Sequence, residues 1–348
     1  MEISPWLHHH PQAVACQYRG TRIAAQFAGA ATDAPFPPAA LCDWSFRAAL
    51  RVQGPDARKW LNGIITANVR DLAPGRTAPS FLLNPKGHIL AAFDTAALSA
   101  DEFLLLASED QRTLLLETLR RFVFRSRLVI EDLSAGTLSL AVCGPGAAAA
   151  LRAAGGDDLP AVGGWRAAHF PGGADTLRLL RWQLGQIETV EIYGNIESVV
   201  PLYDTMARHA TPIGAAAWDR RMLLEGIPLF GREIRDAVLP PETGSLAAIG
   251  NNKGCYIGQE IVERIRARGQ VHRQLHGFRF AGAVQAGERI QADGKDVGEL
   301  TAAAALTSGA HAGQYAALGY LRREAAESAA ALTAAGVAGT VARPPLDE

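Results

Sequence analysis

The stretch from residue 252 to residue 260 constrains the fold more than any other, because a lysine and two glycines surround a single cysteine there. Glycine tolerates backbone angles that a side chain forbids, and it lets another part of the molecule approach the main chain closely. Isoleucines recur every four residues from Ile257 to Ile265, which predicts a helix with one apolar face. We therefore expect Cys255 to lie on a glycine turn directly before a helix.

Two features of this stretch would favour the thiolate form of Cys255. Lys253 lies two residues before it, and its ammonium would stabilise a thiolate if the two groups meet in space. The N-terminus of the following helix would act in the same direction, because its free N–H groups favour a negative charge. Cys255 and Lys253 are therefore candidate catalytic residues. The alternative is a tight turn with a buried, inert cysteine, since unpaired cysteines are commonly buried.

Composition restricts the classes of protein to which the chain can belong. Its 348 residues are 48% apolar and 20% charged, as in soluble globular proteins, and they are enough for two or three domains. The formal net charge is −1, so no global field would attract nucleic acid or an anionic membrane surface. No run of about 18 apolar residues occurs, and we expect no membrane span.

The cysteine pattern predicts a reducing, cytoplasmic location. Cys16, Cys42, Cys143 and Cys255 are widely spaced, with no C-x-x-C pair among them. Such spacing argues against a disulfide framework and against an autonomous zinc site. The run His8–His10 has no other candidate ligands near it, which favours an exposed polar segment, and we assign no metal ligands.

The order of predicted elements indicates an α+β fold with an internal duplication. The first half contains the strand–helix–strand–strand–helix–strand order of a ferredoxin-like unit. Its strands are predicted at residues 46–53, 79–83, 89–98, 102–107 and 128–130, and its main helix at residues 109–122. A second, looser copy follows between residues 137 and 209. Beyond Gln274, short strands alternate with glycine turns, which predicts a small β-barrel.

These patterns divide the chain into four parts. Residues 1–41 form an N-terminal extension, whose prolines suggest an extended linker. Residues 42–135 form the first ferredoxin-like part, and residues 136–272 form the second, which carries the cysteine motif. Residues 273–348 form the C-terminal β-barrel.

The string Lys-Gly-Cys-Tyr-Ile-Gly-Gln-Glu at residues 253–260 resembles the signature of the YgfZ-type folate-binding family. That family includes the mitochondrial factor for late assembly of iron–sulfur proteins and is related to aminomethyltransferase, the T-protein of glycine cleavage. Weaker stretches at residues 54–68, 83–90 and 297–301 agree with it in order. The resemblance covers roughly residues 42–340 and implies a ring of two ferredoxin-like halves and a barrel around a central folate channel.

The resemblance also implies tetrahydrofolate as cofactor and a set of residues that contact it. Glu242 would accept hydrogen bonds from the pterin ring, because a carboxylate matches its N–H and amino groups. Arg273 would bind a carboxylate of the folate tail. The full set of implied cofactor-binding residues is Asn84, Glu242, Tyr256, Gln259 and Arg273.

This chain departs from the aminomethyltransferase pattern at the acidic residue that one-carbon transfer needs. The matching hairpin there carries paired aspartates, and this chain has Ala91 and Ala92 at those positions. A methyl group can neither orient nor protonate a leaving amine, so we expect the T-protein reaction to be lost. Asp94 shares a strand face with Ala92 but is displaced along it, and we do not assign it the role.

These implications lead to a predicted accessory protein that binds tetrahydrofolate and supports assembly or repair of iron–sulfur enzymes, with tRNA-modifying enzymes as one class of client. Iron–sulfur clusters normally need four thiolate-type ligands, so a cluster at Cys255 would be shared with a partner protein or a second copy. The expected partners are folate and iron–sulfur assembly or client proteins. The alternatives are a folate-dependent one-carbon transferase with an altered substrate, and a scaffold that has lost folate.

Overall fold

An antiparallel sheet and a mixed sheet face each other across an apolar layer, and a barrel follows them in the chain. The computed structural model describes residues 2–30, 33–156, 158–171, 176–268, 271–328 and 331–348. Helices cover the outer face of each sheet, and each sheet forms one apolar core with its own helices. A third core lies between the two sheets. The predicted α+β class with a duplicated body and a small barrel is confirmed.

The N-terminal residues pack on the second sheet. The strands β1 (Val14–Tyr18) and β2 (Thr21–Gln26) form a hairpin, and β3 (Ala40–Asp43) enters the second sheet. The Trp6 side chain is 1% exposed and stacks on Tyr203 with ring centroids 5.4 Å apart. This segment therefore contributes both a strand and a core side chain, while the four-part division of the chain stays a prediction.

The first half follows the predicted order closely. Its elements are β4 (Arg47–Gln53), α1 (Ala57–Asn62), β5 (Thr77–Leu83), β6 (Ile89–Ala97), β7 (Glu102–Ser108), α2 (Glu109–Arg121) and β8 (Val129–Asp132). The sheet order is β5-β6-β7-β4-β8. Strand β6 alternates in burial, so Ala91 and Phe93 pack in the core under the helices while Ala92 and Asp94 face the other sheet.

The second half repeats this arrangement with one change. Its elements are β9 (Thr137–Cys143), α3 (Ala147–Ala153), β10 (Gly164–Ala168), β11 (Leu177–Leu184), β12 (Ile187–Asn195), α4 (Ile196–Val199), α5 (Leu202–Met206) and β13 (Thr211–Ile213). The sheet order is β10-β11-β12-β9-β3-β13, so β3 lies between the two strands that are neighbours in the first half. Residues 196–206 form two short helices and not one continuous helix, because Pro201 separates α4 from α5.

The remaining elements connect the halves and form the barrel. They are α6 (Ala215–Leu224), α7 (Gln259–Arg268), β14 (Arg273–Phe280), β15 (Arg289–Ala292), β16 (Lys295–Ala305), β17 (Tyr315–Arg322), α8 (Arg323–Glu327), β18 (Leu332–Ala334) and β19 (Val337–Ala342). The six strands close in the order β14-β17-β16-β15-β18-β19. None of the helices in the described ranges is both long enough and apolar enough to cross a membrane.

Candidate functional site

A cavity of about 360 Å³ lies between the two sheets. This volume falls in the range of small-molecule pockets. Its walls carry aromatic side chains from both halves and from the segment after α6: Trp44, Phe46, Phe81, Trp182, Trp218 and Phe230. Broad apolar rings on opposite walls suit a flat, fused-ring ligand, because such rings bury large areas by stacking.

Two polar residues of the cavity wall, Arg47 and Asp94, belong to an ion cluster that the sequence did not predict. Arg47 lies between two carboxylates, one from each half of the protein. Its Nη2 is 2.8 Å from Oδ2 of Asp94 on β6 and 3.1 Å from Oε2 of Glu191 on β12. Burial raises the pKa of Asp94, and the nearby Arg47 charge opposes that rise. The cluster is thus a buried ion network that ties the two sheets together.

Glu191 is the most deeply placed member of this network. Its side chain is fully buried and also accepts hydrogen bonds from Ser139 Oγ at 2.7 Å and Trp182 Nε1 at 3.2 Å. A glutamate in the middle of the apolar strand β12 is a signal that the sequence offered, because a buried charge requires a partner. The sequence alone does not identify that partner, because Arg47 lies 144 residues away along the chain.

Cys255 lies outside the cavity wall, on an exposed loop. The other three cysteines are less accessible. Cys42 and Cys143 are buried with their sulfur atoms 3.7 Å apart, and Cys16 is half-buried. Burial raises the pKa of the Cys16 thiol. The alternative of a buried Cys255 is therefore wrong, while its reactivity and its catalytic role stay predictions.

The ammonium of Lys253 is held by the main chain of the first half. It donates hydrogen bonds to the carbonyl oxygens of Ile65 and Ala67, the latter at 2.8 Å, and it lies 4.6 Å from the centroid of the Tyr256 ring. Burial lowers the pKa of Lys253 to about 7. These contacts give Lys253 an anchoring function for the cysteine loop, and the predicted effect of its charge on Cys255 stays a prediction.

The lowered pKa of Lys253 gives a testable pH dependence. Below about pH 7 the amine is protonated in both the folded and unfolded states, and between that pH and its ordinary value of 10.5 only the unfolded state binds the proton. Folding stability therefore rises with pH across this window. We expect the wild-type protein to gain free energy of unfolding relative to Lys253→Met between pH 6.5 and pH 9.5 in urea titrations. A difference that stays flat or falls would contradict the burial of the Lys253 amine and the lowered pKa that follows from it.

Two of the weaker stretches that suggested a family, at residues 54–68 and 83–90, pack against this loop and the residues just before it. Gly250 N donates to Thr66 O at 2.9 Å, and Thr66 Oγ1 donates to Ala248 O at 2.5 Å. A Cβ at Gly258 would lie 2.6 Å from Asn84 O and 3.0 Å from Gly87 Cα. The β5–β6 turn thus packs directly against the start of α7. Since Gly258 has φ +79°, the helix begins at Gln259 and not at the predicted residue 257.

This close approach predicts that replacing the two glycines of the motif lowers the free energy of unfolding by different amounts. Gly258→Ala combines a left-handed backbone with a backbone clash, and we expect it to lower the free energy of unfolding by about 1–3 kcal/mol. Gly254→Ala is the matched control, because nothing lies within 4 Å of its added Cβ, and its φ is not in the left-handed region. Denaturant unfolding of both variants measures the difference. Equal stabilities would show that the loop does not pack as described.

The five implied cofactor-binding residues lie outside the cavity wall in the part of the chain that the structure describes. The Asn84 side chain accepts hydrogen bonds from Lys86 N and His88 N, and the Gln259 side chain accepts one from Tyr256 N. These contacts stabilise their own turns, so a folate-binding role for Asn84, Tyr256 and Gln259 stays a prediction.

Glu242 and Arg273 are brought together as an ion pair. Glu242 is 7% exposed, its Oε1 is 3.1 Å from Arg273 Nε, and its Oε2 accepts a hydrogen bond from Leu239 N. The Arg273 guanidinium also lies over the Tyr320 ring, 4.8 Å from the centroid. The pair joins the segment before the cysteine loop to the first and fourth strands of the barrel. The predicted contact of Glu242 and Arg273 with folate stays a prediction.

The histidines of the N-terminal run have partners of their own. His10 Nε2 is 2.7 Å from the Tyr203 hydroxyl, and His9 Nδ1 is 3.2 Å from Asp204 Oδ1. Within the ranges that the structure covers, no group of three histidine, cysteine, aspartate or glutamate side chains is arranged to hold a metal ion.

Comparisons with known proteins relate the chain to one superfamily. It is 26% identical over 286 residues to a chloroplast protein of Arabidopsis thaliana described as a transferase, a match that covers 82% of this chain and 65% of that relative. This chain thus spans less than two thirds of that plant protein. It is 28% identical to the aminomethyltransferase of Rippkaea orientalis over 74% of this chain and 72% of the relative. It is 27% identical to the tRNA-modifying protein YgfZ of Edwardsiella ictaluri, over 72% and 73% respectively.

The fold and the family agree with these matches. The crystal structure of the glycine cleavage system aminomethyltransferase T from Bartonella henselae superposes with a TM-score of 0.84, covering 99% of this chain and 98% of that one at 20% identity. The arrangement of two halves and a barrel is therefore the three-domain fold of that protein. The family model described as "GCVT N-terminal domain" matches residues 10–253 of this chain. The chain belongs to the GCVT family.

Proposed function

We propose that this protein binds tetrahydrofolate in the cavity between its halves and supports the assembly or repair of iron–sulfur enzymes through Cys255. The observation that carries the proposal is the separation of two features: an aromatic cavity without the expected acid, and an exposed cysteine outside it. A protein that catalysed one-carbon transfer in the cavity would need its acid there. A protein that acts on a partner needs an accessible group on its surface.

The cavity supports a folate ligand through its shape and its polar wall. Trp44 and Trp218 meet edge to face with ring centroids 5.5 Å apart, which leaves apolar faces for stacking. Asp94, on the opposite sheet, presents a carboxylate to the same space. A carboxylate is the group that best matches the adjacent N–H and amino donors of a pterin. Tetrahydrofolate binding is also consistent with membership of the GCVT family.

The alanines on β6 argue for a binding function without T-protein chemistry. Ala91 is fully buried in the core of the first half, where an aspartate would be an unpaired buried charge. Ala92 faces the cavity with a methyl group, which cannot transfer a proton. We therefore expect no aminomethyltransferase turnover with the glycine-cleavage carrier protein in a coupled assay. Turnover would favour the alternative of a folate-dependent one-carbon transferase, with Asp94 as the acid.

The proposal is tested by calorimetric titration of the purified protein with tetrahydrofolate. Ala92→Leu adds three carbon atoms to the cavity wall, and we expect it to weaken binding at least tenfold, or about 1.4 kcal/mol. Ala100→Leu adds the same group to an exposed loop position and should leave the affinity unchanged. Absence of binding by the wild-type protein would overturn the folate part of the proposal and leave the scaffold alternative.

A further inference from the structure

An exposed basic and aromatic surface follows the C-terminus of α2. Residues 120–127 read Arg-Arg-Phe-Val-Phe-Arg-Ser-Arg. We call the exposed members of this run the arginine–phenylalanine edge: Arg120, Arg121, Phe122, Phe124, Arg125 and Arg127. The Phe124 side chain is 75% exposed and Phe122 is 41% exposed. Large apolar side chains that lie together in solvent mark an interaction surface.

Two of the four arginines of this edge have no carboxylate partner in the described part of the chain. Arg127 pairs with Asp56 at 3.3 Å, and Arg121 lies 3.9 Å from Glu117. Arg120 and Arg125 have no carboxylate within ion-pair distance in the described part of the chain, and the Arg125 guanidinium lies 5.1 Å from the Phe124 ring centroid. Since the whole chain carries a net charge of −1, this is a local positive surface and not part of a general one.

A groove connects this edge with the cysteine loop. It has a volume of about 520 Å³, and its lining includes Trp60, Ile64, Phe122, Arg125 and Ile257. Ile257 belongs to the same loop as Cys255, two residues further on. Two residues span at most about 7 Å of extended chain, so a molecule seated in the groove comes within reach of the thiol.

We propose that the arginine–phenylalanine edge and this groove form the docking surface for an acidic protein partner that presents its reactive group to Cys255. The inference rests on the proposed function, in which Cys255 acts on a partner. The partner surface that fits is a cluster of aspartate and glutamate side chains around one apolar side chain. The carboxylates would pair with Arg120 and Arg125, and the apolar side chain would contact Phe122 and Phe124. Arginine and aromatic side chains are the residues that dominate binding energy at protein interfaces.

The composition of the neighbouring surface favours a protein over a nucleic acid. The aliphatic side chains Leu114 and Val129 are 45% and 67% exposed on the flanking elements α2 and β8. Aliphatic groups extend an apolar contact with a protein but provide no stacking face for a base.

A kinetic experiment tests the docking surface without knowledge of the natural partner. The probe is a synthetic peptide of glutamates around one leucine, with a cysteine activated as its thionitrobenzoate disulfide. The Cys255 thiolate attacks the peptide sulfur, a new disulfide forms, and thionitrobenzoate leaves and is measured by absorbance. We expect this peptide to react with Cys255 at least tenfold faster than a peptide with lysines in place of the glutamates.

Variants assign this rate advantage to the surface. Arg120→Glu/Arg125→Glu should remove it, and Phe124→Ala should reduce it severalfold. Arg152→Glu/Arg208→Glu makes the same charge change at exposed arginines of the second half and should retain it. Each variant is first compared with the wild-type protein by thermal unfolding and by reaction with a small uncharged alkylating reagent, which should not depend on the edge.

Two results would overturn the docking proposal. One is equal rates for the acidic and basic peptides in the wild-type protein. The other is binding of a single-stranded RNA oligonucleotide, and not of the acidic peptide, that is lost in Arg120→Glu/Arg125→Glu, which would assign the surface to nucleic acid. The proposed function is tested separately, because it fails if Cys255→Ser restores full iron–sulfur enzyme activity in cells. The two failures are therefore distinguishable.

Discussion

Replacing Arg47 with methionine is expected to lower the free energy of unfolding by about 3–5 kcal/mol, the usual cost of removing one partner from a buried ion pair. Glu191 is fully buried, and its two carboxylate oxygens accept hydrogen bonds from Arg47 Nε at 3.2 Å and Nη2 at 3.1 Å. Without the guanidinium, a buried charge remains with only neutral donors around it. Urea denaturation followed by tryptophan fluorescence measures the loss.

The control for this prediction is the double variant Arg47→Met/Glu191→Gln. It removes the charges of Arg47 and Glu191. The glutamine carbonyl can accept the hydrogen bond from Trp182 Nε1 while its amide donates to Ser139 Oγ, so we expect this variant to recover most of the lost stability. Replacing both members of a buried pair is commonly much less costly than breaking it. If the single variant is as stable as the wild-type protein, the Arg47 network does not tie the sheets together.

Replacing Cys255 with serine is expected to abolish support of iron–sulfur enzyme activity in a strain that lacks the protein. A hydroxyl fills the space of the thiol but cannot replace a thiolate as a metal ligand or in thiol–disulfide exchange. Folding and tetrahydrofolate affinity should be unchanged, because the side chain is exposed and lies outside the cavity wall. Cys16→Ser, at a half-buried position, is the matched control and should restore activity.

Alkylation followed by peptide mapping checks the accessibility on which this prediction depends. Cys255 should be labelled first in the native protein, Cys16 more slowly, and the buried Cys42 and Cys143 only on unfolding. Full enzyme activity in cells that contain only Cys255→Ser would refute the cysteine-centred function. The protein would then serve as a folate-binding body alone.

The helices and strands of the first half were well predicted from the sequence. Each of them is determined mainly by the pattern of apolar and turn residues within its own segment. The alternation along β6, from Ile89 to Asp94, gave both the strand and the shared face of Ala92 and Asp94. Glycine turns predicted the barrel, because three of its six strand pairs join strands that follow each other in the sequence. The glycine motif also gave the position of Cys255 before a helix, to within two residues.

The polar side chains at the cavity could not be predicted, because they are brought together by contacts that no local pattern encodes. Asp94 comes from the first sheet, Glu191 from the second, and Arg47 meets both only because the two sheets pack face to face. Resemblance between short motifs transfers the identity of a residue but not the partner of its side chain. Glu242 illustrates this, since its carboxylate is paired with Arg273, 31 residues further along the chain.

The location of β3 makes the first half an insertion within the second. All five strands of the first sheet come from residues 47–132, whereas the second sheet needs residues 40–43 from before them and residues 137–213 from after them. During vectorial synthesis, β3 leaves the ribosome long before its neighbours β9 and β13 exist. The nascent chain must therefore carry an unpaired strand while the first half folds, and unpaired strand edges promote misassembly. The interval between the synthesis of β3 and that of β9 is consequently the period in which the nascent chain exposes this strand edge.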